Sequence, residues 1–168
     1  MTNLQTAPTP TTVGERPRVL CVDDDRSLLD GLRRQFHREF EITGVASGEQ
    51  ALEVLREAGP FAVVVSDMNM PGMNGIELLS RARKVAPDTP RVLLTGHADK
   101  QSAIQAINDV GLYQYLEKPW DNSQLLLVIQ SAIERTQLLR KLRSKVEELD
   151  NAHNNLKDVQ SRLLRAFL

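Results

Sequence analysis

The sequence predicts an α/β protein, a doubly wound parallel sheet of five strands with helices on both faces. Three observations carry that expectation. Short apolar runs of strand length alternate with stretches of helical period five times in succession between Arg18 and Ile133. The third run, Val63-Val64-Val65, is β-branched with no room for a polar face, as a strand buried on both faces requires. The breaks between them hold Gly, Pro, Asp and Asn, which close helices and turn the chain. At 168 residues, 41% of them apolar and 26% charged, the chain is long enough to bury such a core.

Residues 1–16 are rich in Thr, Pro and Gln and have little to bury, which predicts a disordered lead-in. A first strand follows at Val19-Leu20-Cys21-Val22, ending in Asp23-Asp24-Asp25, and the next helix places Leu28, Leu29, Leu32 and Phe36 on one face. Ile42 to Val45 is a weaker second strand. Ser47 and Gln50 have the spacing of a capping box, opening a helix through Ala51, Leu52 and Leu55 that Gly59-Pro60 closes. Val63-Val64-Val65-Ser66-Asp67 is the third strand, and Met68 to Gly75 turns the chain into a helix with Ile76, Leu78, Leu79 and Ala82. Val92-Leu93-Leu94 is the fourth strand, followed by a helix through Ala103, Ile104, Ala106 and Ile107. Tyr113 to Leu116 is the fifth, and the last helix is expected to start at Asp121 or Asn122.

That helix meets no Pro or Gly from Ser123 to Leu168. Its opening turns, with Leu126, Val128, Ile129 and Ile133, suffice to cover the sheet. Beyond them a heptad begins, with Leu142, Leu149, Leu156 and Leu163 at d and Leu139, Val146, His153, Gln160 and Phe167 at a. This pattern predicts a parallel two-stranded coiled coil and hence a homodimer. His153 and Gln160 weaken the seam but penalise misaligned pairings, and Lys145 at g faces Asp150 at e of the other strand. The expected organisation is therefore a segment 1–16, a domain 17–135, and a coiled-coil helix 136–168 continuous with the last helix of the domain.

Charge and cysteine usage narrow the setting. Residues 123–168 hold eight Lys/Arg against five Asp/Glu. So small a surplus does not argue for direct binding of nucleic acid. The single Cys21 cannot form an internal disulfide and reads as a small core residue, which fits a reducing cytoplasm. No charged-then-apolar leader and no apolar run of membrane-spanning length is present, so the expected location is cytoplasmic and no membrane partner is expected.

In an open α/β sheet, ligands sit beyond the carboxyl ends of the strands. Those ends carry Asp23 and Asp24, then Asp67, Thr95 and Lys118. Singly, each has an ordinary explanation: Asp25 a helix cap, Asp67 a turn residue, Thr95 a strand residue, Lys118 a surface base. Together they are chemically coherent. Three carboxylates packed side by side repel and call for a cation, and an all-oxygen ligand set suits Mg²⁺. An Asp can accept phosphate as a nucleophile. Phosphoryl transfer then needs mainly alignment and neutralisation of the phosphoryl oxygens, for which Lys118 and the Thr95 hydroxyl are suited donors.

Asp23-Asp24 after an apolar strand, Asp67-x-x-Met70-Pro71-x-x-Asn74-Gly75, Leu94-Thr95-Gly96 and Lys118-Pro119 resemble the receiver domain of bacterial two-component response regulators. The resemblance covers about residues 17–135. It implies a flavodoxin-like sheet in order 2-1-3-4-5, a cis Lys118–Pro119 bond, and Asp67 as acceptor of a phosphoryl group from a partner histidine kinase. It implies Mg²⁺ on Asp24, Asp67 and the carbonyl of Asn69, with Asp23 acting through water, and Thr95 with Tyr115 as the residues that report phosphorylation. On this reading the chain is a signalling switch and not an enzyme, although it assists its own phosphorylation and dephosphorylation. The tail resembles the helical linkers that join receivers to output modules, and with Phe167 ending inside a heptad the chain is expected to stop short of one. Asn69 and His97 stand near the site and are expected to tune the loss of phosphate. Trp120 is expected to pack near the start of the last helix, outside the site. Two rivals stand beside this reading. A haloacid-dehalogenase-like phosphatase shares the Asp nucleophile and Mg²⁺ but needs a second Asp where Asn69 stands. A degenerate receiver would serve only as a dimerisation platform.

Overall fold

A computed structural model describes residues 15–168. The expectation for the lead-in lies outside the described residues except at Glu15 and Arg16, where the Arg16 guanidinium donates to the His37 carbonyl. The elements run β1 (Arg18–Val22), α1 (Arg26–Gln35), β2 (Glu41–Val45), α2 (Gly48–Ala58), β3 (Val63–Asp67), α3 (Gly75–Val85), β4 (Arg91–Thr95), a 3-10 turn (His97–Asp99), α4 (Lys100–Asp109), β5 (Gln114–Glu117) and α5 (Asn122–Phe167). The five strands form one parallel sheet in the order β2-β1-β3-β4-β5, as expected.

Alternation along the strands divides the core into two layers. Leu20, Val22, Val64 and Leu93 face α2, α3 and α4, packing with Ala51, Leu55, Leu78, Leu79, Ala103 and Ala106. Val19, Cys21, Val63, Val65, Val92 and Leu94 face the other way, onto Leu29 and Leu32 of α1 and Leu125, Val128, Ile129 and Ala132 of α5. Both faces of β3 and β4 are buried throughout, which is why their sequences show no polar alternation.

The caps follow local chemistry. Asp25 opens α1, its side chain accepting from the Ser27 and Leu28 amides at 3.0 and 3.2 Å, the plain role available to it from the start. Ser47 accepts from the Gln50 amide, but the Gln50 side chain reaches the Ala46 amide, one residue before the cap, so the box closes one residue early. Asp121 caps α5 in a full reciprocal box: it accepts from the Gln124 amide at 2.8 Å, and Gln124 Oε1 accepts from the Asp121 amide at 3.1 Å. In α4, Ile104 is turned outward while Ala103 and Ala106 carry the contact. In α5, Leu125, at 1% exposure, points into the core, whereas Leu126 is only half-buried. Lys118–Pro119 is cis, as expected; Gly59–Pro60 is cis as well, which nothing in the sequence announced.

Contacts divide the chain into two compact units, one ending at Ile133 and the other running from Glu134 to Leu168. The second is helical to Phe167, and the a and d side chains Leu139, Leu142, Val146, Leu149, Leu156 and Leu163 are all exposed. Lys145 pairs along its own helix with Glu148 at 3.1 Å. No described helix is long and apolar enough to cross a membrane.

Candidate functional site

Parallel pairing brings the predicted residues together at one rim. The register sets β1 beside β3 (Cys21 opposite Val65), β3 beside β4 (Asp67 opposite Leu94) and β4 beside β5 (Thr95 opposite Glu117). The side chains just past those residues therefore converge. Asp23, Asp24 and Asp67 each bring a carboxylate oxygen to within 4.8 Å of the others. Lys118 reaches in from the end of β5, its Nζ donating to Asp67 Oδ1 at 2.5 Å.

The backbone around Asp67 is held tightly. The Met68 amide donates to the Leu94 carbonyl at 2.8 Å and the Gly75 amide to the Met68 carbonyl at 2.9 Å. Met68, Met70 and Met73 turn inward and are buried, so the loop after β3 has its own apolar footing. Gly75 begins α3 directly over Asp67; a Cβ there would lie 2.3 Å from the Asp67 carbonyl oxygen, so only glycine fits. Gly72, at φ +76°, makes the turn before it.

Asp23 and Asp67 are 4% and 5% exposed, whereas Asp24 is exposed. Burial raises the Asp23 carboxyl above the usual carboxylate range; the Asp67 and Asp24 charges add to the rise, and the Asp25 amide and Lys118 oppose it. One oxygen of Asp23 accepts from the Asp25 amide at 2.8 Å. The other, Oδ2, is buried with no hydrogen-bond partner among the described residues. A buried carboxylate oxygen left without a donor, beside two more carboxylates, is the arrangement that a hard divalent cation satisfies. The donor set thus fits Mg²⁺: oxygen ligands few enough to leave it several waters.

The remaining predicted residues surround this centre. Thr95 is fully buried and its hydroxyl donates to the Gly96 carbonyl at 3.2 Å. Tyr115 is half-buried against the α4 side of the sheet. The Asn69 amide donates to Asp99 Oδ2 at 2.8 Å, tying the loop after β3 to the 3-10 turn after β4. His97 pairs with Glu117, its Nδ1 2.8 Å from Oε1, and Lys100 lies 3.4 Å from the other oxygen of Glu117. The hydrogen bond from His97 is the first of several interactions that hold the Glu117 carboxyl below its ordinary value. Sequence reasoning passed over Asp99 and Glu117, which carry no signal beyond standing next to the site. It also set Trp120 apart from the site, but the Lys118 ammonium lies 5.8 Å from the centre of the Trp120 ring. The residues of the heptad are not part of this centre.

Residues 19–130 match the sequence profile of the response regulator receiver domain. Over 116 residues the chain is 35% identical to the hydrogenase transcriptional regulatory protein HoxA of Cupriavidus necator, covering 69% of this chain and 24% of that one. Over 130 residues it is 36% identical to the C4-dicarboxylate transport transcriptional regulatory protein DctD of Rhizobium meliloti, covering 76% and 28%. The chain thus spans about a quarter of the length of these relatives. Among solved structures it resembles one described as adenylate cyclase from Rhodopirellula baltica, with a TM-score of 0.76 and 34% identity over 79% of this chain and 98% of that one.

Proposed function

We propose, from the premise that this chain belongs to the response regulator receiver domain family, that Asp67 is its phosphoryl acceptor and that the molecule is a phosphorylation-dependent signalling switch of the cytoplasm. The observation that carries the reading is the Lys118 ammonium 2.5 Å from an oxygen of the buried Asp67, at the point where Asp23 and Asp24 also converge. A carboxylate so placed is aligned and has a cation at hand for the charge that phosphorylation brings.

The donor is a phosphohistidine of a histidine kinase. An Asp67 oxygen attacks phosphorus, the P–N bond breaks, and the imidazole leaves as an acyl phosphate forms. Lys118 follows the negative charge from the carboxylate to a phosphoryl oxygen. The Thr95 hydroxyl exchanges the Gly96 carbonyl for another phosphoryl oxygen, and Tyr115 takes up the space Thr95 leaves, changing the face made by α4, β5 and α5. Asp24, Asp67 and the Asn69 carbonyl, with Asp23 acting through water, would hold Mg²⁺, which would supply positive charge to offset that of the carboxylates and the phosphoryl group. Output passes through α5: the a and d residues from Leu139 to Leu163 pair two chains in a parallel coiled coil whose register or stability responds to the changed face.

Asn69 stands where a haloacid-dehalogenase-like phosphatase needs its general acid, which disfavours hydrolysis of small esters. The intact set of Asp23, Asp24, Asp67, Thr95 and Lys118 disfavours a degenerate platform. Labelled acetyl phosphate with Mg²⁺ tests the reading. The chain is expected to take up label, and Asp67→Asn to take up none; undiminished labelling of Asp67→Asn contradicts the site.

A further inference from the structure

The Lys118 ammonium has two neighbours of different kinds. One is Asp67, a directional partner at 2.5 Å. The other is the indole of Trp120, whose ring centre lies 5.8 Å away, within the range at which an aromatic face attracts a cation. Trp120 is itself footed: it packs against the apolar layer that contains Leu32, Leu125 and Ile129, and it borders a groove of about 460 Å³ lined from α1 by Leu28, Gly31, Leu32 and Gln35. Lys118, by contrast, keeps 38% of its side chain exposed on a stem of four flexible carbons.

A flexible ammonium with one anchor loses that anchor when the charge on Asp67 passes to phosphoryl oxygens. A ring face attracts the ammonium without a fixed bond direction. It can therefore keep the group beside the site while the hydrogen bond is exchanged. An aliphatic side chain would fill the same space with no such attraction.

We propose that Trp120 is a positioning residue for phosphotransfer, its ring holding the Lys118 ammonium beside Asp67 without touching the phosphoryl group. This rests on the reading of Asp67 as the acceptor. The test uses the full chain with acetyl phosphate and Mg²⁺. Trp120→Leu is expected to slow phosphorylation at saturating donor about two- to fivefold, the range for such a contact at a partly exposed site. Trp120→Phe, which keeps an aromatic face, is expected to restore most of the rate, and Trp120→Leu is expected to add nothing in a Lys118→Met background. Equal losses in the Leu and Phe variants, or an undiminished loss in the Lys118→Met background, overturn the proposal. A second arm needs no phosphodonor. Trp120 is the only Trp in the chain, so Lys118→Met is expected to change its fluorescence in metal-free buffer with an unaltered circular dichroism spectrum. Normal phosphate uptake with unchanged emission overturns this proposal alone, whereas failure of Asp67 to take up phosphate in the unsubstituted chain overturns the reading of the site and this proposal with it.

Discussion

The Asp23 carboxyl is 4% exposed, accepts from the Asp25 amide through one oxygen, and presents its other oxygen to no donor among the described residues. Folding gains nothing from that second oxygen, and burial first, then the neighbouring carboxylates, make its charge costly. Because its folded pKa is raised, its contribution to stability is present below the unfolded pKa and is lost as pH rises through the folded one. Near neutral pH it therefore destabilises the metal-free protein. Asp23→Asn keeps the acceptor for the Asp25 amide and removes the charge. We expect it to raise metal-free stability by about 1 kcal/mol in urea unfolding, a common gain when a functional site is relieved of strain, and to weaken Mg²⁺ binding. A fall in metal-free stability with unchanged Mg²⁺ affinity would show that Asp23 serves the fold and not the site. Gly75 has the opposite character, since its role is steric. Gly75→Ala places a methyl group against the Asp67 carbonyl, and the expected cost is about 1–3 kcal/mol by urea unfolding, with slower phosphorylation as the strand end shifts. A variant as stable and as reactive as the parent would contradict the close approach.

At the scale of elements, much was legible because each piece is decided locally. The apolar runs located every strand to within a residue or two, and Asp25, Ser47 and Asp121 stood where capping chemistry puts them. The misses have tertiary causes. Leu125 and Leu126 are equally apolar, and only the sheet beneath α5 decides which points inward. The α5 tail is legible in a different way, as a heptad whose a and d leucines are all exposed and which the proposed function pairs with a second copy of the chain. Leu149, at d and 69% exposed, stands near the middle of the stripe. We expect Leu149→Asp to shift the chain from dimer to monomer in light scattering while the sheet domain keeps its unfolding transition. A dimer that survives this change at micromolar concentration would place the interface elsewhere.

For the molecule as a whole, the order of residues along the chain carried more than any one of them. An acidic pair, an Asp, a Thr and a Lys, each at the end of a different strand, become neighbours only in a parallel sheet, so fold and site were readable together. What was not readable is how that rim is braced. The Asn69–Asp99 and His97–Glu117 contacts, and the placing of Trp120 beside Lys118, depend on how the loops after β3, β4 and β5 lie against one another, for which no local pattern codes. The account stands on Asp67 as the phosphoryl acceptor. The most direct test treats the chain with acetyl phosphate and Mg²⁺, reduces it with borohydride, which converts an aspartyl phosphate to homoserine, and sequences it by mass spectrometry. The account predicts homoserine at position 67 and nowhere else. Homoserine at another aspartate, with Asp67 intact, would contradict it.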